Sequence, residues 1–412
     1  MALPSTNSEP PLVTLADIQA ASARIASLVP VSRCAVSEAL SELTGAEVRL
    51  KFENLQRTGS FKERGAANFL SLLSETERAR GVITASAGNH AQAVALHASR
   101  CGIRARVVMP ETTPLVKIRA TRRFGANVVL HGQSYDEAAR HAAELATQGG
   151  EIYVHPFDDA RIIAGQGTLG LELLEQWPEL EAVVVPVGGG GLLAGVACAL
   201  KSLRPEVQVY GAESSLFPGM KRALSVESPP SLPGGKTIAD GIAVRKVGAL
   251  TTPLVERYVD DIALVDEEEI AEAILWLLEQ EKTVVEGAGA AGLAAVLHRQ
   301  LPLQGKRVAV VLTGGNIDVN LMARIIERGL VKTRRMTRIA LIAPDVAGAL
   351  GRVAQLVGST RANIVQISHD RAFSSAELGE TRVELVLETF GAEHAEEVER
   401  VLLNAGYQIE QG

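Results

Sequence analysis

Four consecutive glycines form the turn of this sequence whose composition most directly suggests chemistry. Residues 188–191 follow the apolar run Ala182–Val187, which predicts a buried strand, and precede an apolar stretch that predicts a helix. Glycine backbones can curl so that several N–H groups converge, and a helix N-terminus adds partial positive charge. The turn therefore predicts a phosphate-binding site, although a flexible or tightly packed turn has the same composition.

A second motif centres on Lys62, in the segment RTGSFKERG over residues 57–65. A lysine amine can act as a nucleophile that forms a Schiff base, or as a general base. Most lysines are solvated surface groups, however, and two nearby glycines change that expectation little. The lysine motif alone suggests covalent chemistry without establishing it.

A third motif, TASAGNH over residues 84–90, lies where a predicted strand ends and an Ala-rich helix is predicted to begin. Backbone N–H groups at such a turn can bind a carboxylate. An ordinary helix start has the same pattern, and His90 taken alone fits a structural role better than a catalytic one.

The glycine turn also satisfies a permissive dinucleotide-binding pattern. Gly189, Gly191 and Ala194 have the GxGxxA spacing after a predicted strand, and Glu213 ends the next strand. A nicotinamide-dependent oxidoreductase is therefore an alternative, but it leaves the Lys62 motif unexplained. The similar spacing in residues 287–292 follows a helix and indicates close helix packing instead.

Strand-like and helix-like segments alternate from about Leu12 to Leu330, and they must position these motifs. Helices of about 10–15 residues between short Val-rich strands predict βαβ units with a parallel sheet, and hence an α/β fold. The predicted strands cover residues 81–85, 104–109, 127–130, 182–187, 207–213 and 307–312, and the predicted helices include 114–124 and 134–147.

The pattern changes after about Val331. Residues 332–338 are a basic connector, and the rest of the chain predicts a ferredoxin-like βαββαβ unit. Its elements are a strand over 336–343, a helix over 346–358, strands over 363–369 and 380–389, a helix over 393–404 and a strand over 407–410.

Composition argues against several classes of function. The 412 residues carry a net charge of −7, without the basic excess that favours binding to nucleic acid or to an anionic membrane. The three cysteines are far apart and odd in number, so a disulfide framework or a zinc site is not expected. The sequence has no signal-peptide pattern and no long apolar run, and we expect a cytoplasmic protein.

Together, these motifs resemble the fold-type-II enzymes that use pyridoxal 5'-phosphate (PLP), and within them the threonine dehydratases (threonine ammonia-lyases) with one C-terminal ACT domain. The resemblance extends from about Leu12 to the end of the chain. It rests on SFKxRG (60–65), TASAGNHAQ (84–92), HPFDD (155–159), AGQGT (164–168), GGGG (188–191), ADGIA (239–243), VEGAG (285–289) and TGGNID (313–318). It implies a catalytic domain over 12–331, with a smaller mobile subdomain over about 53–157, and an ACT-like regulatory domain over 332–412.

The resemblance implies a role for each site residue. Lys62 forms a Schiff base with the cofactor and, once freed, serves as the base that removes the α-proton of the substrate. Phe61 and Gly241 flank the cofactor ring. Asn89 binds the phenolic oxygen of the ring, and Thr313 meets its pyridine nitrogen. The remaining cofactor contacts are Gly188, Gly189, Gly190, Gly191 and Leu192 around the phosphate, together with Glu286. The residues around the substrate carboxylate are Ser86, Ala87, Gly88, Asn89 and His90.

The implied reaction is the elimination of water and ammonia from L-threonine to give 2-oxobutanoate, with serine as a secondary substrate. An L-serine or 3-hydroxyaspartate dehydratase is the alternative within the class. A non-catalytic amino-acid sensor is an alternative outside it, and the presence of Lys62, Asn89 and Thr313 argues against that alternative.

Two departures from the related serine racemases are informative. Those racemases carry a serine, as a second acid–base group, where this chain has Ala87. An alanine cannot move a proton, so we expect weak racemisation or none. The racemases also bind a divalent cation through two acids, of which Glu213 is present here and the second is replaced by Gly219. We therefore assign no metal ligand.

Within the ACT-like unit, residues 344–350 (PDVAGAL) would form the turn that binds a small amino acid. The usual Arg-Pro before the glycine is Val346-Ala347 here, so a purely structural or oligomerising domain stays an alternative. The resemblance implies an allosteric amino-acid effector, a homo-oligomer (tetramer or dimer), and a place in amino-acid metabolism such as isoleucine biosynthesis or threonine breakdown.

Overall fold

The computed structural model describes residues 13–225, 235–298, 301–371 and 377–410. The predicted start of the catalytic domain at Leu12 lies outside the described residues. The chain divides into two compact units, Met1–Ile317 and Asp318–Gly412. No helix among the described residues is both long and apolar enough to cross a membrane.

The first unit alternates strands with helices, as the sequence predicts. Its strands are β1 (Cys34–Val36), β2 (Glu47–Phe52), β3 (Val82–Ala85), β4 (Ala105–Met109), β5 (Asn127–Leu130), β6 (Ile152–Tyr153), β7 (Ala182–Val187), β8 (Gln208–Ser214), β9 (Asp261–Val265) and β10 (Arg307–Leu312). Its helices are α1 (Leu15–Ile25), α2 (Glu38–Thr44), α3 (Lys62–Ser71), α4 (Glu75–Arg80), α5 (Asn89–Arg100), α6 (Leu115–Arg123), α7 (Tyr135–Gly149), α8 (Ala160–Gln176), α9 (Gly191–Leu203), α10 (Gly219–Ala223), α11 (Thr251–Tyr258), α12 (Glu267–Glu279) and α13 (Gly287–Leu297). Short 3-10 helices cover Glu53–Leu55 and Asp240–Ile242.

A six-stranded sheet, in the order β1-β2-β10-β7-β8-β9, forms the larger part of this unit. Neighbouring strands are parallel except for β1 and β2. Every residue of β7 is buried, because α9 and α13 both pack against this strand. A continuous Val-rich run is typical of a strand covered in this way.

The unit contains a second, separate sheet of four parallel strands, in the order β5-β4-β3-β6. Its own core includes Phe69, Val94 and Val107 and is separate from the core beneath the larger sheet. This sheet lies inside the range of the smaller subdomain predicted over about 53–157. The mobility of that subdomain stays a prediction.

The site motifs follow the carboxyl ends of parallel strands. The 84–90 motif runs from the end of β3 into α5, the four glycines join β7 to α9, and Thr313 follows β10 directly. Ligands of open α/β sheets bind outside the carboxyl ends of the strands, where helix N-termini also point. The fold therefore brings the motifs to the edges of two sheets that can face one cleft.

The second unit is a ferredoxin-like βαββαβ arrangement, and the predicted α/β fold with this C-terminal addition is confirmed. Its elements are α14 (Val319–Lys332), β11 (Met336–Pro344), α15 (Ala349–Ser359), β12 (Asn363–Asp370), β13 (Glu380–Glu388), α16 (Ala392–Asn404) and β14 (Gln408–Glu410). The four strands are antiparallel in the order β12-β13-β11-β14. Apolar residues of α15, of α16 and of the sheet form its core.

Two predicted boundaries differ from the structure by about three residues. The basic connector over 332–338 is shorter than predicted, since α14 ends at Lys332 and β11 begins at Met336. The predicted helix over 346–358 begins later, at Ala349, because Gly348 precedes it with φ 82°. That left-handed conformation cannot continue a right-handed helix.

Candidate active site

Lys62 is the first residue of α3, and its side chain lies in a partly buried position. Its Nζ donates a hydrogen bond to the Pro156 carbonyl at 2.9 Å and lies 5.0 Å from the centroid of the Phe61 ring. Burial lowers the pKa of this amine to about 8, and the nearby Glu286 carboxyl offsets part of that effect. A larger neutral fraction near neutral pH makes the amine a better nucleophile and base.

The four glycines form a tight turn whose surroundings leave no room for side chains. Gly190 has φ 93°, a conformation that favours glycine. A Cβ at Gly189 would overlap the Phe157 ring, and a Cβ at Gly191 would lie 2.9 Å from the Phe157 carbonyl oxygen. Thr251 Oγ1 donates to the Gly189 carbonyl at 2.7 Å and fixes the turn from the other side.

The N-terminus of the buried helix α9, where Leu192 is the second residue, follows this turn directly. A Cβ at Gly188 would lie 3.1 Å from Ile242 Cα and 3.5 Å from the Gly241 carbonyl oxygen. The structure thus brings the predicted phosphate turn together with the predicted ring-flanking residue Gly241. Converging backbone groups at a helix N-terminus can hold a phosphate.

Asn89 and Glu286 form the polar centre of the site. Asn89 Nδ2 donates to Glu286 Oε1 at 2.6 Å, and Asn89 Oδ1 accepts from Asn316 Nδ2 at 2.7 Å. The Glu286 side chain is buried, and burial together with the charge of Asp240 raises the pKa of its carboxyl to about 7. Its ionisation therefore changes close to neutral pH.

Of three further predicted residues, Gly241 lies beside Glu286, and Thr313 and Phe61 are hydrogen-bonded to neighbouring segments. A Cβ at Gly241 would lie 2.9 Å from Ala288 Cβ and 3.6 Å from Glu286 Oε1. Thr313 is buried, and its Oγ1 donates to the Ala288 carbonyl at 3.4 Å. The Phe61 N–H donates to the Thr313 carbonyl at 3.1 Å, which ties the Lys62 segment to the end of β10.

The predicted carboxylate turn covers residues 86–90. The Ser86 N–H donates to the Val108 carbonyl at 3.2 Å, and Ser86 Oγ accepts from the Gly88 N–H at 3.2 Å. Nothing lies within 4 Å of a Cβ built at Gly88, so the turn faces open space there. Ala87 is partly buried.

His90 is buried behind this turn. Its Nε2 lies 3.1 Å from the Val154 carbonyl, so Nε2 carries the proton and donates. Burial and the charge of Lys62 lower the pKa of His90 to about 3. A neutral imidazole that is bonded to a backbone carbonyl holds the turn in place and is not a proton carrier near neutral pH.

Sequence reasoning gave no role to three residues that the structure places at the site. Pro156 accepts the Lys62 hydrogen bond, Asn316 contacts Asn89, and Ser60 Oγ is buried without a hydrogen-bond partner. All three lie inside the quoted motifs HPFDD, TGGNID and SFKxRG. Their presence in those motifs could have drawn attention to them. Their contacts could not be predicted, because these join residues that are far apart in the chain.

The residues present fit a phosphate-bearing aldehyde cofactor. The site combines a buried amine, a turn in which side chains are sterically excluded, an open region in front of Gly88, and the unpartnered hydroxyl of Ser60. A buried polar atom without a hydrogen-bond partner is uncommon in folded proteins, and it indicates a position where a ligand or water can bind.

Glu213, the acid that matches one cation ligand of the racemases, is engaged by the backbone. Its carboxylate accepts from the N–H groups of Met220 at 2.7 Å and Lys221 at 2.9 Å. Burial nevertheless raises the pKa of this carboxyl to about 7. Among the residues that the structure describes, no group of three or more His, Cys, Asp or Glu side chains is arranged to hold a metal ion.

Comparison with known proteins defines the class to which this site belongs. Residues 29–314 match the sequence profile of the pyridoxal-phosphate dependent enzymes. The chain belongs to this family of pyridoxal-phosphate dependent enzymes, with the fold-type-II architecture described above. The predictions of the family, the fold and the PLP cofactor are thereby confirmed.

Comparison with individual relatives shows which enzymes of this family the chain resembles. The chain is 50% identical over 398 residues to the L-threonine ammonia-lyase of Thermotoga maritima, covering 97% of this chain and 99% of the relative. The solved processed form of threonine deaminase isoform 2 from Solanum lycopersicum is 38% identical, with a TM-score of 0.73 over 77% of this chain and 88% of that one. Maize serine racemase is 33% identical, with a TM-score of 0.73 over 78% and 98%.

Proposed function

We propose that this protein is an L-threonine ammonia-lyase, which converts L-threonine to 2-oxobutanoate and ammonia. The observation that carries the proposal is the Lys62 amine, held at 2.9 Å from the Pro156 carbonyl with its pKa lowered to about 8. The identity of 50% to an L-threonine ammonia-lyase over 97% of the chain supports the choice of substrate. L-Serine is the expected secondary substrate.

The residues of the chain divide the work between binding and proton transfer. When bound, PLP withdraws electrons from the α-carbon of the amino acid attached to it. Lys62 would hold the cofactor covalently before substrate arrives, and its released amine would then remove the α-proton. Loss of the β-hydroxyl as water, followed by addition of water and release of ammonia, leaves the 2-oxo acid.

The surrounding groups orient the reactants. We assign the phosphate to the backbone of Gly188–Gly191 and Leu192, and the substrate carboxylate to the turn from Ser86 to His90. Asn89 would bind the phenolic oxygen of the cofactor, Thr313 would meet its pyridine nitrogen, and Phe61 and Gly241 would flank its ring. Glu286 lies beside Asn89, and its protonation sets the charge next to that amide.

A substrate panel tests the proposal. The purified enzyme is supplied with L-threonine, L-serine and 3-hydroxyaspartate separately, and release of each 2-oxo acid is measured as kcat/KM. We expect L-threonine to give the highest value. Higher values for L-serine or 3-hydroxyaspartate would support the alternative dehydratases, and no turnover of L-threonine would overturn the proposal.

The same samples separate elimination from racemisation. A solved relative at 33% identity is a serine racemase, but this chain has Ala87 where the racemase-type acid–base serine is expected. Alanine cannot protonate the α-carbon from the face opposite Lys62. We therefore expect L-serine to yield pyruvate with little or no D-serine when both products are quantified.

We also propose that the second unit is an ACT-like regulatory domain that binds a small amino acid at residues 344–350. Support comes from the βαββαβ topology and from the turn between β11 and α15, where Gly348 has φ 82°. Titration with isoleucine, valine, threonine and serine tests the assignment. If activity and melting temperature stay constant with all four amino acids, the second unit has a structural role and is not a regulatory domain. A homo-oligomeric, cytoplasmic enzyme is the expected setting.

A further inference from the structure

A single imidazole nitrogen organises the turn between β6 and α8. His155 Nδ1 accepts hydrogen bonds from the Asp158 N–H at 2.8 Å and the Phe157 N–H at 3.3 Å. A ring nitrogen that accepts must carry no proton, so His155 is neutral with its proton on Nε2. The imidazole thus takes the place of a backbone carbonyl in closing this turn.

The turn that His155 closes holds the reactive amine. The residue next to it, Pro156, supplies the carbonyl that accepts from Lys62 Nζ at 2.9 Å. Proline has no N–H and a fixed φ, so the direction of its carbonyl depends on the residues that follow. Those residues are Phe157 and Asp158, whose N–H groups both point at His155 Nδ1.

The same turn packs on the glycine turn. The Phe157 ring fills the space that a Cβ at Gly189 would need, and the Phe157 carbonyl oxygen lies 2.9 Å from the position of a Cβ at Gly191. The His155 ring packs edge-on against the Phe157 ring, with centroids 4.7 Å apart. A shift of Phe157 would therefore move the backbone groups of the glycine turn.

Asp158 extends the connection to the segment before α11. Its carboxylate accepts from the N–H groups of Ala249 at 2.9 Å and Leu250 at 2.8 Å. Thr251, the first residue of that helix, donates to the Gly189 carbonyl at 2.7 Å. The turn closed by His155 is thus joined to the glycine turn along two independent routes.

We propose that His155 is a positioning residue that, through Nδ1, sets both the Lys62 amine and the glycine turn in their working geometry. The inference rests on the proposed function only where turnover is measured. In this assignment His155 contacts neither the Lys62 amine nor the substrate. It acts through its neighbours Pro156 and Phe157.

Its surroundings keep His155 in the accepting form. The groups that face it are Lys62, Asp158 and Asp159, together with the Tyr153 ring at 6.3 Å between centroids and the buried His90. Burial lowers the pKa of His155, the cationic Lys62 lowers it further, and the two aspartates act in the opposite direction. The net lowering leaves Nδ1 free to accept at neutral pH.

Two substitutions separate the accepting atom from the aromatic ring. His155→Asn keeps an acceptor at the same distance from the backbone, since an Asn side chain can accept from N–H groups two residues on. His155→Phe keeps a ring against Phe157 but removes the acceptor. His298→Phe is the matched control, because His298 lies at the far end of α13, about 18 Å along the helix axis from Glu286.

Four quantities are measured for each variant: kcat and KM for L-threonine, the affinity of cofactor-stripped protein for PLP, and the melting temperature. We expect His155→Phe to lower kcat by about 100-fold, since misplacement of a reacting group by about 1 Å has an effect of that size. PLP affinity should fall by at least about 10-fold in the same variant, because the phosphate turn moves too. His155→Asn should stay within about 3-fold of the wild type in both quantities, as expected when the acceptor is retained.

The comparison between the two variants decides the proposal. If His155→Phe equals or exceeds His155→Asn in kcat and in PLP affinity, the acceptor has no positioning role and the proposal is wrong. A melting temperature that falls equally in both, with kcat and affinity still differing, supports positioning over loss of folding. PLP affinity needs no substrate, so the inference stays testable even if the wild-type enzyme fails to turn over L-threonine.

Discussion

Asn89 Nδ2 and Glu286 Oε1 lie 2.6 Å apart, although the two residues are 197 positions apart in the chain. Asn89 begins α5, beside the four-stranded sheet, and Glu286 is the residue immediately before α13, beside the six-stranded sheet. The hydrogen bond therefore links the two sheet systems at the site. One partner is a carboxyl that is half ionised close to neutral pH.

Glu286→Gln should change how the stability of the cofactor-free protein depends on pH. The folded-state pKa of about 7 lies above the ordinary value of 4.5, so the stabilising contribution of the neutral carboxyl is complete below about pH 4.5 and is lost as the pH rises through 7. The full difference amounts to about 3 kcal/mol. Glutamine can accept the same Asn89 hydrogen bond and stays neutral.

Thermal unfolding of wild type and Glu286→Gln across pH 4.5 to 8 provides the measurement. The melting temperature of the wild type should fall relative to that of the variant up to about pH 7 and then run parallel to it. Curves that run parallel over the whole range would show that Glu286 ionises at its ordinary pKa.

Lys62→Ala should abolish the visible absorbance of the bound cofactor and lower kcat for L-threonine by at least about 1000-fold, because both the covalent link and the base are lost. Lys201→Ala is a suitable control, since the Lys201 amine pairs with Asp260 near the surface. Borohydride reduction of the wild type, followed by peptide mapping, should find the pyridoxyl group on Lys62. An adduct on any other lysine contradicts the assignment.

Gly189→Ala should weaken PLP binding by at least about 10-fold, since the new methyl group overlaps the Phe157 ring and shifts the phosphate turn. Gly351→Ala is the control: it lies in α15, with nothing within 4 Å of an added Cβ. There the change should raise stability by about 1 kcal/mol through helix propensity. If an absorbance titration gives Gly189→Ala and the wild type equal affinity for PLP, the turn does not bind the cofactor phosphate closely.

Arg64→Met should destabilise the first unit by about 3–5 kcal/mol, because it leaves the buried Glu53 carboxylate without its guanidinium partner. The Arg64 guanidinium donates to Glu53 at 2.7 Å and to Glu172 at 2.6 Å, and its side chain is 1% exposed. Arg382→Met is the contrast, since that side chain is 31% exposed and an ion pair in contact with solvent contributes far less to stability than a buried one. Similar losses in urea unfolding for both variants would contradict this expectation.

Local patterns predicted most element boundaries to within a residue or two. Strand β7 and the antiparallel strands of the second unit follow from runs of Val, Ile and Leu, whose period and length are local properties. Strands β1, β2, β6 and β9 were not identified. Strand β2 carries charged residues at Glu47, Arg49 and Lys51, and its parallel pairing with β10 joins residues about 260 positions apart.

The sequence motifs predicted which residues belong to the site, but they did not predict which of those residues contact each other. Lys62, the glycine turn and Asn89 were singled out from the residues and their resemblance to a family. The acceptor of Lys62 Nζ, the carbonyl of Pro156, depends on how β6 and α3 come together. The raised pKa of Glu286 depends likewise on burial, which no local pattern reveals.

The glycine turn also determines where the proposed cofactor site can be redesigned. The volume next to these backbone atoms is already taken by the side chains of Phe157, Met220 and Thr251. A designer who wants the protein to accept an altered cofactor therefore has no freedom at the glycines themselves. The adjustable positions include those three neighbours, and trimming one of them would create room for a substituent beside the turn.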